Sequence, residues 1–236
     1  MKGAMDMENI EEVLAGLREK AKNRQQTQAS MTSQAGKESN NTDHLEAAGI
    51  YRRYQWVTFE AVEGRGLPTE MTIRANYAQI KEYADNLEEN VREGKGLLMM
   101  GDYGLMKTTL AVAVLRQWLD TGHSGLIVPM CSLLDNLYTM RTLNKEEWAK
   151  YEQRLRSIPL LVLDDLGGEN TDQSWVISKV DSIITERYNK MLPVIATTNL
   201  SKSELMGTYS GRIMDRLRAT SKILTFKGKS QRETAK

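Results

Sequence analysis

The sequence predicts an α/β fold: a mainly parallel sheet with helices on both faces. Three observations carry that expectation. Short apolar runs recur after residue 70, at Gly96–Met100, Gly125–Pro129, Leu160–Asp164 and Pro193–Thr198. They are apolar throughout rather than alternating, as strands covered on both faces are. Segments of helical spacing separate them, and alternation of this kind favours parallel pairing through helical crossovers.

The elements follow in order. In residues 8–22, Ile10, Val13, Leu14 and Leu17 make one narrow apolar stripe at helical spacing. Such a stripe cannot build a core; it docks on a partner or packs back on the main domain. Residues 23–43 are rich in Gln, Ser, Asn and Thr and read as a flexible linker. The expected organisation is a short helical segment (1–22), a linker (23–43) and one domain (44–236). Ile73, Tyr77, Ile80, Ala84, Leu87 and Val91 step by three or four residues, marking one buried helix face. A strand at Gly96–Met100 leads into a glycine-containing loop and a helix to about Asp120. The strand Gly125–Pro129 comes next, then helical segments near 131–142 and 145–156. After the strand Leu160–Asp164, a helix over about 174–190 turns Trp175, Val176, Val180, Ile183 and Ile184 inward. The strand Pro193–Thr198, a short helix near 211–218 and a strand near 222–227 complete the domain.

Composition excludes several classes of function. One cysteine, Cys131, leaves no intramolecular disulfide or cysteine-rich zinc site, and two histidines, His44 and His123, disfavour a metal-centred active site. No apolar run approaches the roughly 20 residues of a membrane span, and no signal peptide is evident at the N-terminus. A cytoplasmic protein with no membrane partner is the expectation. Residues 201–236 hold nine lysines and arginines against three acids. That basic end suits an anionic partner, or is a solvated tail.

Two segments together read as a nucleotide site. Gly101-Asp102-Tyr103-Gly104-Leu105-Met106-Lys107-Thr108, with Thr109 beside it, lies between a strand and an amphipathic helix. That is the context of a phosphate-binding loop. Backbone N–H groups of the loop and helix N-terminus would face the phosphates. Lys107 would reach the β- and γ-phosphates, and the Thr108 hydroxyl would ligate Mg²⁺. Asp164 closes a buried strand and would hold the metal. Asp165 follows it, where related ATPases place the carboxylate that polarises the attacking water. Alone, the glycines could be turn glycines and the acids a solvated strand end; together they specify ATP with magnesium. Met106 departs from the pattern, which has glycine before the lysine. A flexible, unbranched side chain can turn aside there and leave the cradle intact.

Asn199, at the end of Val194–Thr198, could orient a water near the γ-phosphate, or is an ordinary turn-forming asparagine at a strand end. In Gly211–Arg218, Ile213, Met214 and Leu217 share one helix face while Arg212 and Arg216 stand i, i+4 on another. Such a pair suits insertion into a neighbouring subunit's phosphate site, or is an ordinary salt-bridged surface.

With these residues in view, the chain from about residue 44 to 232 resembles the DnaC/DnaI-type helicase loaders. These are a branch of the AAA+ ATPases shared with IstB-type transposition helpers. The resemblance rests on Ala47-Ala48-Gly49-Ile50 leading to Arg53-Tyr54 and Thr58-Phe59-Glu60. It rests also on Asp164-Asp165-Leu166-Gly167, Thr197-Thr198-Asn199 and Arg212…Asp215-Arg216. It implies the AAA+ P-loop three-layer sandwich on a five-stranded sheet, with Asn199 as sensor and Arg216 as trans-acting arginine finger beside Arg212. It implies catalytic roles for Lys107, Asp165, Asn199 and Arg216. Residues 131–156 match the helical insertion with which such loaders meet single-stranded DNA, making Tyr138, Arg141 and Lys145 candidate DNA contacts. Lys229 and Arg232 match a basic C-terminal motif that touches phosphate or DNA.

Two departures from the family are visible, Met106 and no cysteine cluster for a zinc module before residue 44; the little room after the last strand for a helical lid is a feature shared with the loaders and transposition helpers. The implied partners are a hexameric replicative helicase, single-stranded DNA and further copies of the chain. The function expected is ATP-dependent helicase loading. The alternatives are a transposition helper acting on duplex DNA and a helicase-binding module without turnover.

Overall fold

The computed structural model describes residues 42–133, 145–168, 174–209 and 211–232. The chain falls into two units, Met1–Leu45 and Glu46–Lys236. The helix expected at 8–22 and nearly all of the linker lie outside the described residues, as do Tyr138 and Arg141.

The second unit opens with a 3₁₀ turn (Arg52–Tyr54) and α1 (Phe59–Gly64), whose first turn is capped by Thr58 Oγ1 accepting from Ala61 N at 3.1 Å. Then come α2 (Met71–Asp85), α3 (Leu87–Arg92), β1 (Gly96–Gly101), α4 (Lys107–Asp120) and β2 (Gly125–Pro129). These are followed by α5 (Lys145–Ser157), β3 (Leu160–Asp164), α6 (Ser174–Asn189) and β4 (Val194–Thr198). The last elements are α7 (Lys202–Thr208), α8 (Gly211–Thr220) and β5 (Ser221–Phe226).

One expected helix is two. Asn86 sits at φ −111°, ψ 29°, between α2 and α3, and its amide donates to Glu82 O at 2.9 Å. An asparagine that bonds nearby backbone competes with the helical ladder, so the apolar spacing continues across a break. Helix α7 was not anticipated. It opens on a capping box between Ser201 and Glu204, and only Leu205 is buried along it, too little apolar content to show periodicity.

The five strands pair in the order β2-β3-β4-β1-β5, every pair parallel. β1 holds its place by pairing with β4 (Leu97 opposite Ile195) and β5 (Leu98 opposite Ile223). Leu98, Met100, Leu161, Leu163 and Ala196 face Val180, Ile183 and Ile184 of α6 and Ile213, Met214 and Leu217 of α8. The alternate residues Leu97, Met99, Ile127, Val162 and Ile195 are buried on the opposite face, which α4 crosses. Burial of each such side chain contributes about 1.5–3 kcal/mol, and burial on both faces is why these strands lack alternation.

Both sheet edges are covered. Ile127 N of β2 donates to Ala48 O at 2.9 Å, and Pro129 has no N–H to offer. At the other edge, Asn76 of α2 donates to Thr225 O at 2.9 Å and Thr72 to Lys227 O at 2.6 Å. The carboxyl ends of β1, β3 and β4 therefore lie side by side, where an open parallel sheet binds ligands.

Candidate nucleotide-binding site

The loop between β1 and α4 begins at Gly101 and contains Gly104, both at positive φ (136° and 77°). A Cβ on Gly101 would overlap the Phe226 carbonyl, and one on Gly104 would overlap Ser230. Neither position admits a side chain. Met106 adopts φ 65°, ψ 8°, the left-handed conformation a glycine would take. The side chain thus costs about 1–2 kcal/mol of backbone energy without changing the course of the loop. Leu105 is buried under it at 1% exposure.

Lys107 begins α4 and is 6% exposed. Its ammonium donates to Gly101 O and Asp102 O at 2.7 Å and to Asn199 Oδ1 at 2.8 Å. Burial lowers its pKa to about 8; Asp165, Asp102 and Asp164 oppose that shift and Arg232 adds to it. Thr108 Oγ1 donates to Asp164 Oδ1 at 2.8 Å, and Thr197 Oγ1 donates to the same oxygen at 2.6 Å. Burial raises the pKa of Asp164; the bonds from Thr197 and Thr108 oppose the shift.

Asp165 stands at φ 61°, its N–H donating to Thr197 Oγ1 at 2.9 Å and its Oδ1 accepting from Asn199 Nδ2. The turn continues with Leu166 N donating to Thr197 O at 2.7 Å and Thr198 Oγ1 donating to Leu166 O at 2.6 Å. Asn199 therefore touches both Lys107 and Asp165. Lys107, Thr108, the two aspartates at the end of β3 and the asparagine after β4 form one hydrogen-bonded cluster joined through Thr197.

That cluster floors a cleft of about 600 Å³. Its wall also includes Arg53, Tyr54, Trp56, Arg65, Gln231 and Arg232. The Arg65 guanidinium lies 3.3 Å from the Trp56 ring centroid, a cation–π stack. Gln231 N donates to Gly104 O at 2.9 Å, which lays the C-terminal segment against the loop. Arg53, Arg65, Lys107 and Arg232 outnumber Asp164 and Asp165 in the cleft, a balance that fits a polyanion partly neutralised by a cation. Thr197, Trp56 and Arg65 were not anticipated. A threonine inside a strand carries no signal of its own, and Trp56 and Arg65 reach the cleft only through the fold.

The arginines of α8 are elsewhere. Neither Arg212 nor Arg216 lines the cleft of its own chain. Arg216 Nη1 bonds Asp181 Oδ1 at 3.1 Å, and Arg212 lies 3.9 Å from the same carboxylate. Lys145 is exposed at the start of α5. Among the described residues no helix is long and apolar enough to cross a membrane, and histidines, cysteines and acids nowhere gather in groups of three or more suited to a metal ion.

A family model described as IstB-like ATP binding protein matches residues 72–236. The chain belongs to this family. The glycine loop after β1, both aspartates, Asn199 and the α8 arginines all fall inside the match. The chain is 27% identical over 141 residues to the replicative helicase loader DnaI of Bacillus subtilis (strain 168), covering 58% of this chain and 44% of DnaI. It is 28% identical over 149 residues to an ATP-binding protein of insertion sequence IS21 from Pseudomonas aeruginosa, covering 60% of this chain and 54% of that protein. The chain thus spans about half the length of these curated relatives. The crystal structure of a DnaC helicase loader superposes with a TM-score of 0.66 at 27% identity, covering 75% of this chain and all of the other. These likenesses bear out the AAA+ P-loop fold and the resemblance to DnaC/DnaI-type loaders.

Proposed function

We propose that this IstB-like protein binds and hydrolyses ATP with magnesium and uses the cycle to place a replicative helicase on single-stranded DNA. The observation that carries the ATPase reading is the continuous bonding of Lys107, Asn199 and Asp165 beside the Thr108–Asp164 pair. Loop and helix N–H groups and Lys107 would bind the β- and γ-phosphates, with Tyr103 and Thr109 at the margin. Thr108 and Asp164 would hold magnesium, which when bound neutralises phosphate charge. Asp165, with one oxygen engaged by Asn199, would accept a proton from water as its oxygen bonds the γ-phosphorus. The bond to the β–γ bridging oxygen breaks, leaving ADP and phosphate. Asn199 keeps Asp165 and Lys107 in register for that step. Trp56 and Arg65 offer a flat, cationic surface on the cleft wall, and Arg232 adds a positive charge near Lys107.

Because Arg212 and Arg216 lie outside their own cleft, they would complete the site of a second copy. The loader reading is supported by the similarity to DnaI and DnaC. In it, residues 1–22 dock on the helicase, 23–43 give reach, and 44–236 form the ATPase domain of a cytoplasmic protein. Tyr138, Arg141 and Lys145 meet the single strand. The similarity to the IS21 protein favours a second reading, a transposition helper that assembles on duplex DNA. ATP turnover alone, with single strands and with duplex, with Lys107→Ala as blank, tests both. Stimulation by single strands supports the loader, and stimulation by duplex supports the transposition helper. Turnover no higher than the blank overturns hydrolysis and leaves a binding module.

A further inference from the structure

We infer that Asp181 is a positioning residue: from α6 it holds Arg216 and Arg212 in the pose from which they reach a second copy's nucleotide phosphate. The inference rests on the proposed sharing of the site between copies.

Helix α8 buries Ile213, Met214 and Leu217 in the core. This sets the direction of the arginine face but not the long side chains on it. An arginine has about 2 kcal/mol of rotamer entropy to lose when it is ordered. Asp181 takes up that task before any phosphate arrives. Its carboxylate bonds Arg216 at 3.1 Å and lies 3.9 Å from Arg212. One of its oxygens also accepts from Thr185 at 3.4 Å. Arg216 is 22% exposed and Arg212 77%, so the inner arginine is half-buried beside Asp181 and the outer one open to solvent. A guanidinium has five N–H donors. The single bond to Asp181 leaves Arg216 with donors for a phosphate, so holding and delivering are compatible.

Asp181 can act as a reference point because α6 is itself immobilised. Val180, Ile183 and Ile184 are buried beside it. Arg187, fully buried two turns on, donates to the carbonyls of Leu155, Ile158, Pro159 and Pro193. Glu186 and Ser182 bind Arg156 of α5. As a stability device the Asp181 pair is minor, since an ion pair still partly open to solvent contributes little; its use is positional.

A subunit-mixing experiment tests this with full-length chains. Arg216→Ala supplies a nucleotide site without the inner arginine. Lys107→Ala supplies the arginines without a working site. Their mixture regains turnover, and the same mixture with Lys107→Ala/Asp181→Ala as the arginine donor turns over about 10-fold more slowly. A Lys107→Ala/Asp181→Glu donor recovers part of the loss. The melting temperature of Asp181→Ala in the wild-type background stays unchanged. A Lys107→Ala/Asp181→Ala donor as active as Lys107→Ala overturns the inference alone. Failure of the first mixture to regain turnover overturns the shared site, and the inference with it.

Discussion

Two buried cations divide this molecule. Lys107, 6% exposed, donates to two loop carbonyls and Asn199, with Asp164 and Asp165 close enough to raise its pKa. Arg187, fully buried, donates to four backbone carbonyls. Burial lowers both, to about 8 and about 9. The surroundings differ in replaceability. The partners of Lys107 border a cleft, so water or phosphate can take over from them. Those of Arg187 are the C-terminal carbonyls of α5 and the entrances to β3 and β4, with no solvent to substitute. A buried charge at a cleft is poised for exchange; a sealed one is a clamp.

The largest expected effect tests the clamp. Arg187→Met keeps the apolar stem but orphans several buried carbonyls, each costing about 1–3 kcal/mol. The expected loss, about 3–5 kcal/mol, would appear in urea unfolding as a lower midpoint at an unchanged slope. A loss below 1 kcal/mol would show that water reaches those carbonyls, and the contrast would collapse.

Lys107→Ala should behave in the opposite sense. Charge-assisted bonds to phosphate are worth about 1.5–3 kcal/mol, so ATP-analogue affinity should fall by about 10–100-fold. Solvent from the cleft can satisfy Gly101 O, Asp102 O and Asn199, so the melting temperature should move by no more than about 3 °C. A large destabilisation would make Lys107 a second clamp.

The pH dependence sharpens the same contrast. The ammonium of Lys107 is lost as pH rises through about 8. ATP-analogue affinity of the wild type should weaken from pH 7 to 9, while Lys107→Ala is flat through that window. Stability runs the other way. Because the folded pKa lies below the ordinary lysine value, the unfolded chain binds more protons above pH 8, and this group makes folding more favourable as pH rises. Isothermal titration and thermal melts across the range separate the two trends.

The smallest effect concerns Met106. Glycine would relieve the left-handed strain of about 1–2 kcal/mol but give back about 0.4–1 kcal/mol in unfolded-state entropy. Met106→Gly should therefore be up to about 1 kcal/mol more stable, and Met106→Ile, branched at a positive φ, less stable than the wild type. Equal melting temperatures for all three would mean that the loop relaxes around residue 106.

Much of the site was legible because its parts are local. A glycine loop between strand and helix, paired acids closing an apolar run and an asparagine ending another are each contiguous. Parallel pairing then brings their ends together. Arg187 left a trace that is clear only with the structure: it continues the inward stripe of Val180, Ile183 and Ile184. A cation on an apolar stripe reads as an exception until the carbonyls that receive it are in place. Trp56, Arg65 and Gln231 left none, because they reach the cleft from outside the sheet and no spacing links them to the loop. The break at Asn86 was hidden because apolar spacing reports which face is buried, not whether the backbone ladder is continuous.

The sequence by itself determined the strands and their alternation with the main helices, and it predicted that Lys107, Thr108, Asp164, Asp165 and Asn199 belong to one site. These follow from short-range rules of burial, turn geometry and phosphate chemistry. Only the tertiary structure decided that Met106 adopts the glycine conformation, that Thr197 joins the two aspartates, and that Arg216 and Arg212 rest on Asp181 outside their own cleft. The last two depend on groups far apart in the chain meeting across a few ångströms, which no local pattern encodes; the first is a backbone conformation that methionine does not itself favour.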